Sequence, residues 1–179
     1  AADIIFYFTA NDLITLKRDR AGQQRLVHLP PFSAQRNLPP LTTGAGPLLS
    51  VGMMRHGDKL KSNHLLAEML GNLQEDWQLD IVGDGPARPQ VEALMARFGR
   101  SVRFLGQLDR PALQRIYQQA SVFVWPGVNE AFGMVYLESQ AAGIPVIAQD
   151  RPGVRDVVFT PDLPAPQDGP RALAQKVDA

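Results

Sequence analysis

The 179-residue sequence contains no cysteine, which removes disulfides, thiol catalysis and cysteine-liganded zinc together. It also carries no net charge. Eighteen basic and eighteen acidic side chains cancel, so no global positive field gathers nucleic acid or an anionic membrane, and any anion site has to be local. Long apolar runs are missing as well: Ile4 to Phe8 and Val122 to Trp125 fall far short of the roughly 20 residues that span a bilayer. Asp3 stands where a secretory signal would carry positive charge. Histidine is scarce, and His28, His56 and His64 lack ligand spacing, so no metal is assigned to them. These absences predict a soluble, cytoplasmic protein with no transmembrane segment and no nucleic-acid partner. What is present, 45% apolar and 20% charged residues, is the composition of a folded globular chain.

The apolar runs that do occur are short and regularly spaced. Residues 4–8 read as a buried strand, with Thr9 and Asn11 as capping candidates for a helix through about Arg20. Residues 29–47 hold Pro30, Pro31, Pro39, Pro40 and Pro47 with Gly44 and Gly46, a composition that resists helix and central strand and reads as a linker. Beyond it, strand-like runs at 48–51, 79–82, 102–105, 122–125 and 144–148 alternate with helical spacings. Those are Leu65, Leu66, Met69, Leu70 and Leu73, then Val91, Leu94, Met95 and Phe98, then Ala112, Leu113, Ile116, Tyr117 and Ala120. Continuous apolar strands between amphipathic helices predict a doubly wound α/β fold, a parallel sheet with helices on both faces. A last helix is expected from about Gly169 to Val177. The start on a strand without an initiator methionine predicts a piece cut from a longer chain.

In such a sheet, ligands bind beyond the carboxyl ends of the strands, so chemistry is sought in the strand-to-helix loops. After the run ending at Val51, Arg55, Lys59 and Lys61 gather at a helix start, where positive charge opposes the macrodipole unless an anion such as a diphosphate completes the site. Gly83-Asp84-Gly85-Pro86 opens another helix, with Pro86 expected in its first turn. Its glycines either make a tight turn with positive φ or touch a ligand; the third glycine of a dinucleotide fingerprint is replaced by Arg88. Gly106 would admit a flat ring, and Asp109 is an N-cap candidate. The most informative loop runs from Trp125 to Glu138. A strand enters it, a helix begins near Gly133, and Gly143 ends that helix in the left-handed cap position. Glu130 then lies in the crevice loop, and Glu138 about one and a half turns into the helix. A loop carboxylate suits sugar hydroxyls and a helix carboxylate suits a ribose diol. Between them the amides of Gly133, Met134 and Val135 are free to hold phosphate oxygens.

The string EAFGMVYLE followed by AAGIPVIA resembles glycosyltransferase family 4, retaining enzymes of the GT-B fold with an E-x7-E motif in the C-terminal domain, here Glu130 to Glu138. The other elements follow in the family's order: Arg55 and Lys61 in the first loop, G-x-GP after the second strand, V-x-FLG after the third, then E-x-FG with Phe132, and G-x-PV-x-A. The resemblance covers roughly residues 48–158 and reaches Ala2 to Ile5, which look like the last strand of the family's N-terminal domain. It implies three parts: a remnant of that domain at 1–28, the linker at 29–47, and a nucleotide-sugar-binding Rossmann-like domain at 48–179. It implies also that Arg55 and Lys61 hold the donor diphosphate, the Leu108 backbone touches the base, Glu138 binds the ribose, Gly133, Met134 and Val135 bind phosphate or sugar, and Glu130 stands at the reacting sugar. The expected partners are a nucleotide-sugar donor, an acceptor of unknown identity and the N-terminal domain of the same full-length chain. No cofactor or metal is expected. Ser62 stands where the family commonly has glycine, and the spacing from Gly52 to Arg55 is longer than usual. Two rivals share parts of the pattern: a non-catalytic nucleotide-binding Rossmann module, and a GT-B epimerase or phosphorylase. Against NAD stand Arg88 and the lack of an acidic residue after the Val102 strand.

Overall fold

Successive side chains on a strand point to opposite faces of its sheet, and here both faces are covered. The computed structural model describes residues 2–30, 32 and 38–179; Pro31 of the expected linker, with residues 33–37, lies outside them. Strands β1 (Ile4–Tyr7) and β2 (Arg25–His28) flank helix α1 (Ala10–Asp19) and pair in parallel. Then come β3 (Leu48–Val51), α2 (Asp58–Leu70), β4 (Leu79–Val82), α3 (Arg88–Met95), β5 (Val102–Gly106), α4 (Arg110–Gln119), β6 (Phe123–Val124), α5 (Met134–Ala141), β7 (Val146–Ile147) and α6 (Gly169–Val177). Strands β3 to β7 form one parallel sheet in the order β5-β4-β3-β6-β7. The doubly wound fold is therefore as the sequence predicts.

Alternation along the strands divides the core in two. Leu49, Val51, Val82, Phe123 and Val146 face Tyr117, Tyr136 and Ala142 of the α4–α5 side. Leu48, Leu79, Ile81, Val124 and Ile147 face Leu66, Met69, Val91, Met95 and Leu173 of α2, α3 and α6. Each fully buried leucine, such as Leu49, Leu66 or Leu79, contributes about 1.5–3 kcal/mol. The buried carboxylate in β4, Asp80, is answered across the β4–β5 register by Arg103, with Nε and Nη2 at 2.7 and 2.8 Å.

Several details depart from the sequence reading or add to it. Strand β1, expected to be buried, leaves Ile4 and Phe6 exposed, since β2 is its one pairing partner among the described residues. Helix α3 begins at Arg88, so Pro89 and not Pro86 occupies its first turn. Strand β2, four residues with half-exposed Leu26 and Val27, has too little apolar character to stand out in the sequence. The described part of residues 29–47 carries no helix or strand, yet it is laced to the domain: the amides of Thr42 and Thr43 donate to Ala142 O and Gln118 O at 2.8 and 2.9 Å.

Candidate functional site

The chain proceeds from β3 outward to β4 and β5, then returns to β6 on the other side of β3. This places a topological switch point between β3 and β6, the position where doubly wound sheets bind ligands. The loops that meet there are 52–57, leading into α2, and 125–133, leading into α5. Four helices leave the carboxyl ends of strands β3 to β6, and three of them, α2, α3 and α5, have no side-chain cap. Only α4 is closed, by Asp109, whose carboxylate accepts from the Ala112 amide at 2.8 Å. Amide groups and positive helix ends thus stay available at this edge.

The two loops are fastened to each other by side chains. Ser62, buried on α2, accepts from the Val128 amide at 3.0 Å. Asn129, in a left-handed conformation at φ 49°, donates to Asp58 Oδ2 at 2.9 Å. That amide first, and Lys61 second, hold the Asp58 carboxyl below its ordinary range. Glu130 is held more tightly: its Oε2 accepts from Lys59 Nζ at 2.5 Å and from the Trp125 indole at 3.1 Å. Lys59 Nζ also lies 5.5 Å from the Trp125 ring centroid. The ion pair is largely sheltered, with side-chain exposures of 26% and 12%.

Helix α5 opens at Gly133, whose φ 53° and ψ 53° are left-handed. A Cβ there would stand 2.4 Å from the ring of the buried Tyr136, so both conformation and space require glycine. Tyr136 in turn donates its hydroxyl to Trp125 O at 3.1 Å and packs edge-on against Phe123. Burial pushes its phenol well up, and the Glu130 charge adds to this, with Arg151 opposing. Phe132 meets Phe8 edge-on, with centroids 5.0 Å apart. Met134 and Val135, half-buried, supply the first helical amides.

Other residues singled out in the sequence are dispersed. Lys61 is exposed and pairs with Asp58 at 2.9 Å, and Arg55, in the loop before α2, is exposed; the side-chain donors to Glu130 among the described residues are Lys59 and Trp125 instead. Glu138 lies apart from Glu130, in a small hollow with Pro39, Arg110, Leu113 and Gln114, where the Tyr117 hydroxyl donates to its Oε2 at 3.2 Å. Burial first, and the Glu138 charge second, push the Tyr117 phenol up. Half-buried Leu108 packs on the core beside α4. The G-x-G turn is closely packed at positive φ: a Cβ on Gly83 or Gly85 would strike the carbonyl of Gly52 or Met54.

Beside Glu130 opens a cleft of about 370 Å³, lined by Thr9, Asn11 and Asp12 at the start of α1, by Val128 to Ala131, and by Arg151 to Gly153. Its two walls are joined where the Ala10 amide donates to Asp156 Oδ2 at 3.1 Å. A larger hollow, of about 860 Å³, lies at the opposite, amino ends of the strands around Pro47, Gln78, Ser101 and Ser121, away from the switch point. Lys59, Trp125 and Tyr117 carry contacts in the site that the sequence did not assign to them. Lys59 had a signal, being one of three cations at the α2 start. Trp125 and Tyr117 read only as core.

Comparison with known proteins identifies the family. A model of the group 1 glycosyl transferases matches residues 46–179, and the chain belongs to that family. The chain is 40% identical over 85 residues to a GDP-mannose-dependent alpha-mannosyltransferase of Mycolicibacterium smegmatis, covering 48% of this chain and 22% of the relative. It is 34% identical over 98 residues to the sulfoquinovosyl transferase of Arabidopsis thaliana, covering 55% and 19%. The sucrose-phosphate synthase of Thermosynechococcus elongatus superposes with a TM-score of 0.81 at 25% identity, over 99% of this chain and 48% of that one. The structural neighbours are GT-B glycosyltransferases. The chain thus spans about a fifth of these curated relatives and about half of that solved chain. Among the described residues, no helix is long and apolar enough to cross a membrane.

Proposed function

We propose that this chain is the donor-binding half of a retaining glycosyltransferase, which takes a sugar from a nucleoside diphosphate and passes it to an acceptor. The observation that carries the reading is the meeting, at the switch point, of the Glu130 carboxylate, the uncapped amino end of α5 at Gly133 and the cationic start of α2. As the glycosidic bond breaks, negative charge grows on the departing diphosphate while the sugar becomes oxocarbenium-like. The α5 amides and the Arg55, Lys59 and Lys61 cations suit the first charge without a metal, and the Glu130 carboxylate suits the second. Phe132 braces the loop against Phe8. Glu138 serves the ribose and the Leu108 backbone the base, on the carboxyl side of β5 and β6.

The cleft beside Glu130 is walled by α1, which with β1 and β2 belongs to the edge of a second, acceptor-binding domain in this reading. The chain by itself then binds nucleotide and does not turn over. Calorimetric titration with UDP, GDP, ADP and NAD tests the reading and names the base. One nucleoside diphosphate is expected to bind, and Glu138→Ala to weaken it about tenfold or more. Tightest binding by NAD, or indifference to Glu138→Ala, refutes the assignment. Retention is checked on full-length protein by the anomeric configuration of the product.

A further inference from the structure

Arg151 lines the cleft beside Glu130 and has no part in the donor reading. Residues 149–153 follow β7 and are seated on the Glu130 loop: the Gln149 amide donates to Pro126 O at 3.4 Å, and a Cβ on Gly153 would strike Glu130 O. The guanidinium itself rests on a neutral group. Its Nε and Nη2 donate to Gln149 Oε1 at 3.0 and 2.6 Å, and Gln149 is fully buried, with its Nε2 reaching Pro166 O at 3.5 Å. Among the described residues no carboxylate forms an ion pair with Arg151.

A half-buried arginine ordinarily meets a carboxylate, since a charge taken from water needs compensation. Gln149 engages two of the N–H donors and leaves the charge whole. Burial accordingly pushes the Arg151 guanidinium down from its ordinary value, with the Tyr136 phenol opposing, whereas Arg88 and Arg103 are raised, each first by a hydrogen bond to a carboxylate. The planar fork suits two oxygens of a carboxylate, phosphate or sulfate. Around it the cleft is polar, with Asn11 and Asp12 of the α1 start as partners for sugar hydroxyls, and its volume of about 370 Å³ is within the range of small-molecule sites.

We propose that Arg151 is a specificity-determining residue that binds an anionic group of the acceptor, a carboxylate, phosphate or sulfate, so that the enzyme glycosylates acidic acceptors. This rests on the donor reading above, which puts the transferred sugar at Glu130. In that reading the diphosphate is met at the α2 and α5 ends, whereas Arg151 stands in the cleft whose other wall is α1, on the acceptor side. Gly153, two residues on, packs against the Glu130 backbone, so an anion on Arg151 is held within a small molecule's length of the Glu130 loop. Gln149 fixes the guanidinium and withholds the negative charge that would otherwise satisfy it.

The experiment uses full-length protein saturated with the nucleoside diphosphate that binds it best, which keeps added inorganic phosphate out of the diphosphate site. Phosphate is titrated into wild type, Arg151→Met and Gln149→Glu, and binding is read from the amide resonances of Asn129 and Gly153, both in the cleft. Gln149→Glu keeps the arginine and gives it an internal carboxylate, so it tests the charge even where Arg151→Met strands the buried Gln149 oxygen and fails to fold. Both variants are expected to weaken phosphate roughly tenfold and to change nucleoside diphosphate affinity by less than about twofold. Phosphate binding equal in all three proteins overturns the proposal. So does its absence from wild type, the result if a carboxylate elsewhere in the full-length chain pairs with Arg151. A loss of nucleoside diphosphate affinity of about tenfold in Arg151→Met assigns the residue to the donor and overturns it too. A uronic-acid sugar nucleotide and its neutral counterpart are titrated in parallel: an equal response to Arg151→Met is expected, and selective loss of the uronic one puts the anion on the donor and overturns the acceptor assignment. If wild type binds no nucleoside diphosphate, the donor reading falls. If it binds one and Glu138→Ala weakens it, but neither variant weakens phosphate, the acidic acceptor alone falls.

Discussion

Replacing Gly133 by alanine tests, in one position, why helix α5 starts where it does. Two costs add. The first is conformational: an L-residue at φ 53° and ψ 53° is left-handed, which costs about 1–2 kcal/mol. The second is steric, because the new Cβ would lie 2.4 and 2.6 Å from two carbons of the Tyr136 ring. That ring cannot easily retreat: Tyr136 is fully buried, its hydroxyl is held by Trp125 O, and its edge packs against Phe123. Overpacking of this kind costs about 1–3 kcal/mol. The total, about 2–5 kcal/mol, corresponds to a fall in Tm of roughly 5–20 °C for a chain of this size. Gly22→Ala is the control, since Gly22 has nearly the same φ, 55°, with nothing within 4 Å of its added Cβ. Thermal unfolding of the two variants by circular dichroism decides the matter. If Gly133→Ala costs no more than Gly22→Ala, the Tyr136 contact carries no energy and the reasoning is refuted. Where Gly133→Ala still folds, nucleoside diphosphate affinity is expected to fall as well, since the α5 amides move with Tyr136.

Arg103→Ala leaves the Asp80 carboxylate buried without its partner and is expected to cost about 1–3 kcal/mol in urea unfolding; the joint change Arg103→Leu with Asp80→Val is expected to cost less. The phenols of Tyr117 and Tyr136 are both raised above the ordinary value of 10.0. Below that pH the folded and unfolded chains hold these protons alike, and above it the unfolded chain releases them first. Stability is therefore whole below about pH 10 and falls as pH rises further, and Tyr117→Phe is expected to flatten the fall of the urea midpoint between about pH 9 and about pH 11. The same variant removes the hydroxyl that orients Glu138, and is expected to weaken a ribonucleoside diphosphate about 3–10-fold while leaving its 2′,3′-dideoxy counterpart unaffected. Nucleotide affinity measured with excess EDTA is expected to match that measured with magnesium; a clear magnesium dependence would contradict charge stabilisation by side chains and helix amides alone.

The sequence by itself determined the fold class, because continuous apolar strands and 3.6-residue spacings are local signals set by burial on two faces. Leu48–Val51 and Leu79–Val82 are strands within the bounds expected, and α6 spans Gly169–Val177 as read. Strand β2 was not legible, since Arg25–His28 gains its pairing only from β1, across the chain. The Trp125–Glu138 loop was legible as a candidate site because glycines and carboxylates at fixed spacing around a strand-to-helix turn are local too. The partners of its side chains were not. Lys59 and Lys61 are two residues apart, hence on different sides of α2, and which of them meets Glu130 depends on how α2 is rotated against β6. Glu138 and Tyr117 meet across 21 residues, and Gly83 needs its hydrogen side chain because of the Gly52 carbonyl, 31 residues away in sequence. Such contacts are decided only when the helices dock on the sheet, since packing, and not local pattern, fixes which side chains come within reach.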